Sequence, residues 1–318
     1  MRYSIGVDIG ATKILAGIVR QDGYVVERLR RSTPATDGEL VVAAVVDVVK
    51  HLLESSRKQA LPIDGIGVGT AGQIDFVRGR VLSGTPNIRN WENIELGAKL
   101  GSQFGVPVWV DNDVNVHLLA EVTLGAAQAS ENVVMLAFGT GVGGAVLVDG
   151  RILHGAWGGA AELGHTTVNF RGPMCNCGSR GCLELYGSGT GIAARMSERL
   201  TASGRSVSEV SSHEVFAKAV EGDSLARATI DEMVEAISFA CVSLIHTFNP
   251  GMVILGGGVV ANRRWVVDDV STRVRKLGMK SLVQSVAFET PTFGPEAGLV
   301  GAALQVFINE QATGGNLS

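Results

Sequence analysis

Three of the chain's 4 cysteines, Cys175, Cys177 and Cys182, share one glycine-punctuated stretch, and His165 precedes the first with nine residues between. Three thiolates and an imidazole complete a tetrahedral zinc set, with no position left for water, so the site reads as structural rather than hydrolytic. Gly172, Pro173, Gly178 and Gly181 permit the sharp turns that bring these ligands around one ion. A disulfide between two of the three would strand the third thiol, and Cys-x-Cys is an awkward pair to bridge. Glu162 and Glu184 bracket the stretch. A rigid metal knot flanked by carboxylates suits a device that holds polar groups in place for a ligand.

At 318 residues, 46% of them hydrophobic, the chain has core material for one large domain or two ordinary ones. A net charge of −4 without a basic run excludes a nucleic-acid groove, which needs clustered Lys and Arg. The opening residues Met1-Arg2-Tyr3-Ser4 enter a strand-like run at once, so no signal peptide is expected. The longest uncharged apolar stretch, 133–148, is glycine-rich and too short to span a membrane. Cys241 stands alone in an apolar helical pattern and reads as core filling. Few cysteines, gathered in a metal pattern, fit a cytoplasmic protein.

The periodicity predicts a strand at 3–8 with antiparallel partners at 14–19 and 24–29, turned at Asp22-Gly23. It predicts a helix over 39–53, buried strands at 63–68 and 106–110, and a capped helix over 112–124. A second block follows. A hairpin of 133–138 and 144–148 encloses Gly139 to Gly143, and helices follow the zinc stretch at 191–200, 214–220 and 224–248. The last stops at Asn249-Pro250-Gly251. A strand at 252–255, a helix at 264–276, a strand near 286–288 and a helix at 297–308 complete the chain, with a frayed tail from 313 to 318. Two strand-rich, glycine-punctuated blocks, each running on into alternating helices and strands, predict two α/β domains of similar plan with a cleft between them. The expected division is 1–118, completed by the C-terminal helix 297–315, and 119–296.

Four motifs carry chemistry. In Asp8-Ile9-Gly10-Ala11-Thr12-Lys13, a strand-end carboxylate meets a glycine turn, a hydroxyl and an ammonium. Gly10 would let backbone N–H groups face a phosphate, Thr12 and Lys13 would add donors, and Asp8 would hold Mg2+ through water; a polar hairpin turn is the bland alternative. Gly139-Thr140-Gly141-Val142-Gly143-Gly144 is a glycine hairpin tip whose amides would wrap a phosphate; no helix pattern follows it, which disfavours a dinucleotide fold. Gly256-Gly257-Gly258, between a strand and a helix, offers a flat backbone surface for an adenine or ribose, or a plain turn. Asp111-Asn112-Asp113 ends a strand, where α/β ligands bind. A carboxylate there that faces the ligand would take a proton from a substrate hydroxyl, and phosphoryl transfer needs little beyond that base, positioning and charge neutralisation. Helix capping alone would use only one of the three polar residues.

The order Asp8-x-Gly-x-Thr-Lys13, Asn112-Asp113, Gly139-Thr-Gly-x-Gly-Gly144, Glu162-x-Gly-His165 and Cys-x-Cys-Gly-x-x-Gly-Cys-x-Glu184 resembles the ROK family of sugar kinases and sugar-responsive repressors. Within it the chain is most similar to the zinc-containing bacterial glucokinases. The resemblance implies an actin-like, hexokinase-like ATPase fold, with ATP, Mg2+ and structural Zn2+ as cofactors. It implies that Asp113 is the catalytic base, and that Gly72, Asn87, Asn112, Asp113, Glu162, His165 and Glu184 bind the sugar. Asp8 becomes the Mg-organising acid, and Gly10, Thr12, Lys13, Gly139, Thr140, Gly141 and Gly143 the phosphate clasp. Gly256, Gly257 and Gly258 match the adenosine side. His165 would serve twice, one ring nitrogen on zinc and the other toward the sugar. A homo-oligomer, dimer or tetramer, is also implied.

The implied reaction transfers phosphate from ATP to the 6-hydroxyl of a hexose, glucose first. Thr85-Pro86-Asn87-Ile88-Arg89-Asn90-Trp91 resembles the glucokinase version of its segment, whereas Ala160-Ala161-Glu162-Leu163 is also similar to N-acetylmannosamine kinases. Departures from the glucokinase pattern fall in the loop Thr70-Ala71-Gly72, at Trp109 and at Ala145. N-acetylmannosamine or N-acetylglucosamine as substrate, polyphosphate as donor, and a non-catalytic sugar-sensing role are the alternatives. A repressor would carry an N-terminal helix-turn-helix domain, for which a strand beginning at Tyr3 leaves no room.

Overall fold

The computed structural model describes residues 1–84, 87–205 and 210–314. The chain opens with β1 (Tyr3–Ile9), β2 (Lys13–Arg20) and β3 (Val25–Ser32), a meander whose first two strands are almost wholly buried. Helix α1 (Gly38–Lys58) starts at Asp37, whose side chain accepts from the Glu39 N–H, and lays Val41, Val45, Val48 and Leu52 on the sheet. Strand β4 (Ile63–Thr70), the short hairpin β5 (Gln73–Asp75) and β6 (Arg80–Ser83), helix α2 (Leu96–Phe104), strand β7 (Val108–Asn112) and helix α3 (Asp113–Leu124) follow.

The second block contains β8 (Val133–Phe138), β9 (Val142–Val148), β10 (Arg151–Ile152), α4 (Glu184–Gly187), α5 (Gly189–Ala202), α6 (Ser212–Glu221), α7 (Ser224–Phe248), β11 (Met252–Gly256), α8 (Arg264–Val274), α9 (Lys280–Val283) and β12 (Ala287–Glu289). The last helix is α10 (Ala297–Gly314). Helix α6 begins two residues earlier than expected because Ser211 and Glu214 close a capping box. Asn249 ends α7 in the left-handed conformation. Helix α10 outruns its expected end at 308 and takes in 313–314 of the tail expected to fray over 313–318; the rest of that tail, 315–318, lies outside the described residues.

The two five-stranded sheets have the same plan. One runs β3-β2-β1-β4-β7 and the other β10-β9-β8-β11-β12. In each, an antiparallel hairpin is extended by parallel strands, β1 with β4 and β4 with β7, β8 with β11 and β11 with β12. Two compact units result: residues 1–129, 152–160 and the stretch from Thr292 onward in the first, residues 130–151 and 161–291 in the second.

The division expected at 118/119 would have cut α3. The whole helix belongs to the first unit because Glu121, fully buried, accepts the N–H groups of Ala126, Thr292 and Phe293 and so ties α3 to the approach of α10. Helix α10 also crosses β4 closely: a β-carbon on Gly67 would meet the Ala302 carbonyl oxygen at 1.7 Å. The first unit's core is aliphatic, with Ile5, Val7, Ile66, Val68, Leu52 and Val110 all fully buried. Each such side chain contributes about 1.5–3 kcal/mol by leaving water.

Candidate functional site

In the first unit the parallel strands end together. Asp8 pairs with Gly69 and Gly69 with Asp111; one step on, Ile9 pairs with Thr70 and Thr70 with Asn112. The register therefore lines up two carboxylates and starts α3 immediately beyond. Asn112 caps that helix, its Oδ1 accepting from the N–H groups of Val114 and Asn115, while its Nδ2 donates to the Gly72 carbonyl at 3.0 Å. Gly72 stands at φ +112°, a conformation that side chains resist, and packs against Ser83. Expected sugar-binding residues 40 positions apart in sequence thus touch.

The two aspartates of β7 and α3 have different fates. Asp111 is 4% exposed and is saturated: Oδ1 accepts from the Asn112 N–H and from Asn115 Nδ2, and Oδ2 from His154 Nε2. Asp113, the first residue of α3, stays partly exposed, its Oδ1 accepting only from the adjacent Val114 N–H among the described residues. Asp113, not Asp111, is the carboxylate open to a ligand.

Asp8 is hemmed in, since a β-carbon on Gly298 would lie 2.6 Å from its carboxyl carbon. Burial pushes its carboxyl above the ordinary range; His117 and Lys13 oppose the shift and Asp113 adds to it. Among the described residues no hydrogen bond reaches the Asp8 side chain. A confined carboxylate with its oxygens uncommitted, beside a second carboxylate, fits an Mg2+ ion held through water.

The turn after β1 differs in detail from expectation. The Gly10 N–H closes the turn on the Lys13 carbonyl at 2.9 Å, so this N–H is engaged within the loop. Thr33 braces the same turn, its hydroxyl on the Gly10 carbonyl. Thr12 lies exposed in the same turn, and Lys13 opens β2 half-buried.

In the second unit the glycine hairpin tip is Gly139-Thr140-Gly141. Gly143 lies inside the β8–β9 ladder opposite Ala137. The tip is tied from outside at three points. Gly189 N–H bonds the Gly139 carbonyl at 2.8 Å, the Thr190 hydroxyl bonds the Thr140 carbonyl at 2.8 Å, and Glu184 Oε2 accepts the Val142 N–H at 3.0 Å.

Beside the tip opens a cavity of about 430 Å3, bordered among others by Thr140, Thr190, His213, Phe216, Gly258 and Arg263. The Arg263 guanidinium lies 4.1 Å from the centre of the Phe216 ring, a flat wall suited to a planar base. The three adjacent glycines differ in role. Gly258 borders the cavity with open space where a side chain would point, Gly257 at φ +89° lets its loop press on Phe138, and Gly256 packs against Pro291. Gly256 and Gly257 thus pack against neighbouring segments. The sequence reading missed Thr190, Ser212, His213, Phe216 and Arg263, which come from three separate segments and share no local pattern.

The cysteine stretch folds as a knot. Ligand atoms of His165, Cys175, Cys177 and Cys182 all lie within 4.8 Å of one another. Cys175 Sγ is 3.6 Å from His165 Nδ1, and Cys177 Sγ is 3.6 Å from Cys182 Sγ. Sulfurs bound tetrahedrally at about 2.3 Å from one zinc would stand just under about 4 Å apart, whereas a disulfide needs about 2.05 Å. The donor set therefore fits structural zinc, with Nδ1 the imidazole nitrogen facing the thiols. A hydrogen bond from the Ser179 backbone holds the Cys177 thiol below its ordinary range, while burial pushes that of Cys182 up to about 12. Burial likewise pushes the isolated core thiol Cys241 to about 12, which makes it inert.

Glu162 sits exposed at the head of the tight turn Leu163–His165, and Glu184 follows the knot at the start of α4. Asn87 is exposed; its neighbours Thr85 and Pro86, part of the segment resembling glucokinases, lie outside the described residues. No helix among the described residues is long and apolar enough to cross a membrane.

Residues 4–307 match the ROK family. The chain is 33% identical over 307 residues to the glucokinase of Thermotoga maritima, spanning 94% of this chain and 95% of that relative. Among solved structures, the ROK hexokinase from Thermus thermophilus aligns with a TM-score of 0.85 at 32% identity, covering 98% of this chain and 99% of that one. A ROK family glucokinase from Streptomyces griseus, in complex with glucose and AMPPNP, aligns with a TM-score of 0.77 at 32% identity over 95% of this chain and 98% of that one. The repeated sheet plan and these likenesses identify an actin-like ATPase fold. From its sequence and its fold alike, this chain belongs to the ROK family.

Proposed function

We propose that this chain is an ATP-dependent hexokinase of the glucokinase type, transferring the γ-phosphoryl group of ATP to the 6-hydroxyl of glucose. One observation carries the reading most directly. Of the two aspartates at the end of β7 and the start of α3, Asp111 is saturated by internal donors and Asp113 is left open to a ligand. The relatives named glucokinase, and the neighbour that holds glucose with AMPPNP, support the substrate pair.

Gly72, Asn87, Asn112, Asp113, Glu162, His165 and Glu184 are the groups we assign to the sugar hydroxyls. The cavity beside Thr140, Phe216 and Gly258 is assigned to the nucleoside, and Thr12, Lys13 and the tip Gly139 to Gly141 to its phosphates. Asp113 accepts the proton of the 6-hydroxyl as that oxygen bonds to the γ-phosphorus and the bond to the departing ADP oxygen breaks. Mg2+ near Asp8 would neutralise charge on the phosphoryl oxygens. Zinc in the knot would hold the His165 ring and the start of α4 in register, with no part in proton transfer.

The measurement is ADP release with ATP and a panel of sugars. Asp113→Ala lowers turnover about 10²–10⁴-fold while the melting temperature stays close to wild type; near-normal turnover removes Asp113 from its role. Sugar binding without any ADP would favour the non-catalytic regulator. N-acetylmannosamine is the second substrate to test, on the similarity of Ala160-Ala161-Glu162-Leu163 to kinases of that sugar, and N-acetylglucosamine and polyphosphate complete the panel. A dimer or tetramer is the assembly we propose, testable by light scattering, and clustered free thiols fit a reducing, cytoplasmic setting.

A further inference from the structure

We propose that His154 is a positioning residue for the phosphoryl-transfer base: through buried Asp111 it holds the first turn of α3, on which Asp113 stands. The proposal rests on the reading of Asp113 as base.

His154 belongs to none of the motifs that the sequence singles out, and it lies 43 residues from Asp111. It is nevertheless part of the first unit, because residues 152–160 return to that unit after the β8–β9 hairpin. Three contacts hold it there. Its ring stacks on Phe76, centroids 4.2 Å apart and planes 14° from parallel. Its carbonyl accepts from the N–H groups of Gly158 and Ala160. Its Nε2 lies 2.8 Å from Asp111 Oδ2.

An ionised carboxylate only accepts, so Nε2 carries the proton and the neutral imidazole suffices as donor. The other oxygen of Asp111 accepts from the Asn112 N–H at 2.7 Å and from Asn115 Nδ2 at 2.8 Å. Each of those partners is part of the site's frame. Asn112 caps α3 and reaches the Gly72 carbonyl, and Asn115 lies in the first turn of α3, two residues beyond Asp113.

Removing the imidazole donor would leave a buried carboxylate oxygen unpaired. Such a group turns to find another donor, because an unmet buried acceptor is costly. Turning Asp111 takes its first oxygen away from Asn112 and Asn115, and the helix start that aims Asp113 moves with them. A displacement near 1 Å at a reacting group costs about 10²-fold in rate. The nucleotide cavity lies in the second unit and shares none of these bonds.

The test is steady-state kinetics on three variants of the whole protein. His154→Phe keeps a flat ring for Phe76 and loses the donor; His154→Gln keeps a neutral donor at similar reach; His154→Met has nearly the shape of Gln without a donor. Phe and Met are expected to lower kcat about 10–100-fold and to raise the sugar KM, with the ATP KM within about twofold of wild type, and Gln to recover kcat to within about threefold. Equal kcat in the Gln and Met variants overturns the proposal, and that pair decides the matter if the Phe variant does not fold. Asp113→Asn runs in the same assay. If it is inactive while Phe and Met turn over normally, the role of His154 falls and that of Asp113 stands. If Asp113→Asn turns over normally, both fall.

Discussion

Three carboxylates gather where the parallel strands of the first sheet end, and their surroundings separate them chemically. Asp111 is closed off by three donors, Asp113 opens at the helix start, and Asp8 is confined with its charge uncompensated by any hydrogen bond among the described residues. The raised carboxyl of Asp8 carries a stability consequence of definite sign. Its neutral form suits the fold, so its favourable contribution is complete below the ordinary value of 3.8 and is lost as pH rises through the raised one. Raising the pH therefore costs the metal-free protein stability as this confined group is made to ionise. Asp8→Asn is expected to melt at a higher temperature than wild type at about pH 7–8 without Mg2+, the gain shrinking as pH falls toward about 4. Its turnover is expected to collapse. Calorimetry across that range checks it, and a variant less stable than wild type at neutral pH contradicts it. The residue types at these positions were plain from the sequence; their division of roles was not, because the donor to Asp111 comes from a distant loop.

Among the elements, the coupling of the cysteine knot to the glycine hairpin says most. Glu184 comes two residues after Cys182, and its carboxylate accepts the Val142 N–H just past the hairpin tip. Ser188 caps α5, which carries Thr190 to the Thr140 carbonyl. Loosening the knot would thus disturb both ends of the proposed reaction, through His165 and through this brace. Chelating zinc, or Cys177→Ala, is expected to lower the melting temperature and to weaken both sugar and ATP-analogue binding about 10-fold or more. Titration calorimetry on metal-free protein reads both affinities, and unchanged values would contradict the coupling. The long periodic elements of both units were readable beforehand. The hairpin of β5 and β6 and helix α2 were not, since two of those strands span only 3 and 4 residues and α2 buries just Leu96 and Leu100.

At the scale of the whole molecule, one architectural plan appears twice with different equipment: the proposed base on one unit, the cavity and knot on the other. Ligands that bind only the folded chain stabilise it by mass action. Glucose at about 100 times its Kd is expected to add about 2.7 kcal/mol, seen as a rise in melting temperature. N-acetylmannosamine at the same concentration is expected to give a smaller shift. A larger one would move the substrate assignment to the N-acetyl sugar.

What the chain determined by itself is whatever depends on neighbours in sequence: strand and helix periodicity, caps, glycine turns, and a donor set that demands a metal. Contacts between distant segments decided the rest. They assigned α3 entire to the first unit through Glu121, left Asp113 open by committing Asp111 to His154, and built the cavity beside the glycine hairpin tip from four separate segments. Local order follows from backbone sterics and burial pattern within a few residues. Which polar group is satisfied and which stays available depends on donors that only folding brings near.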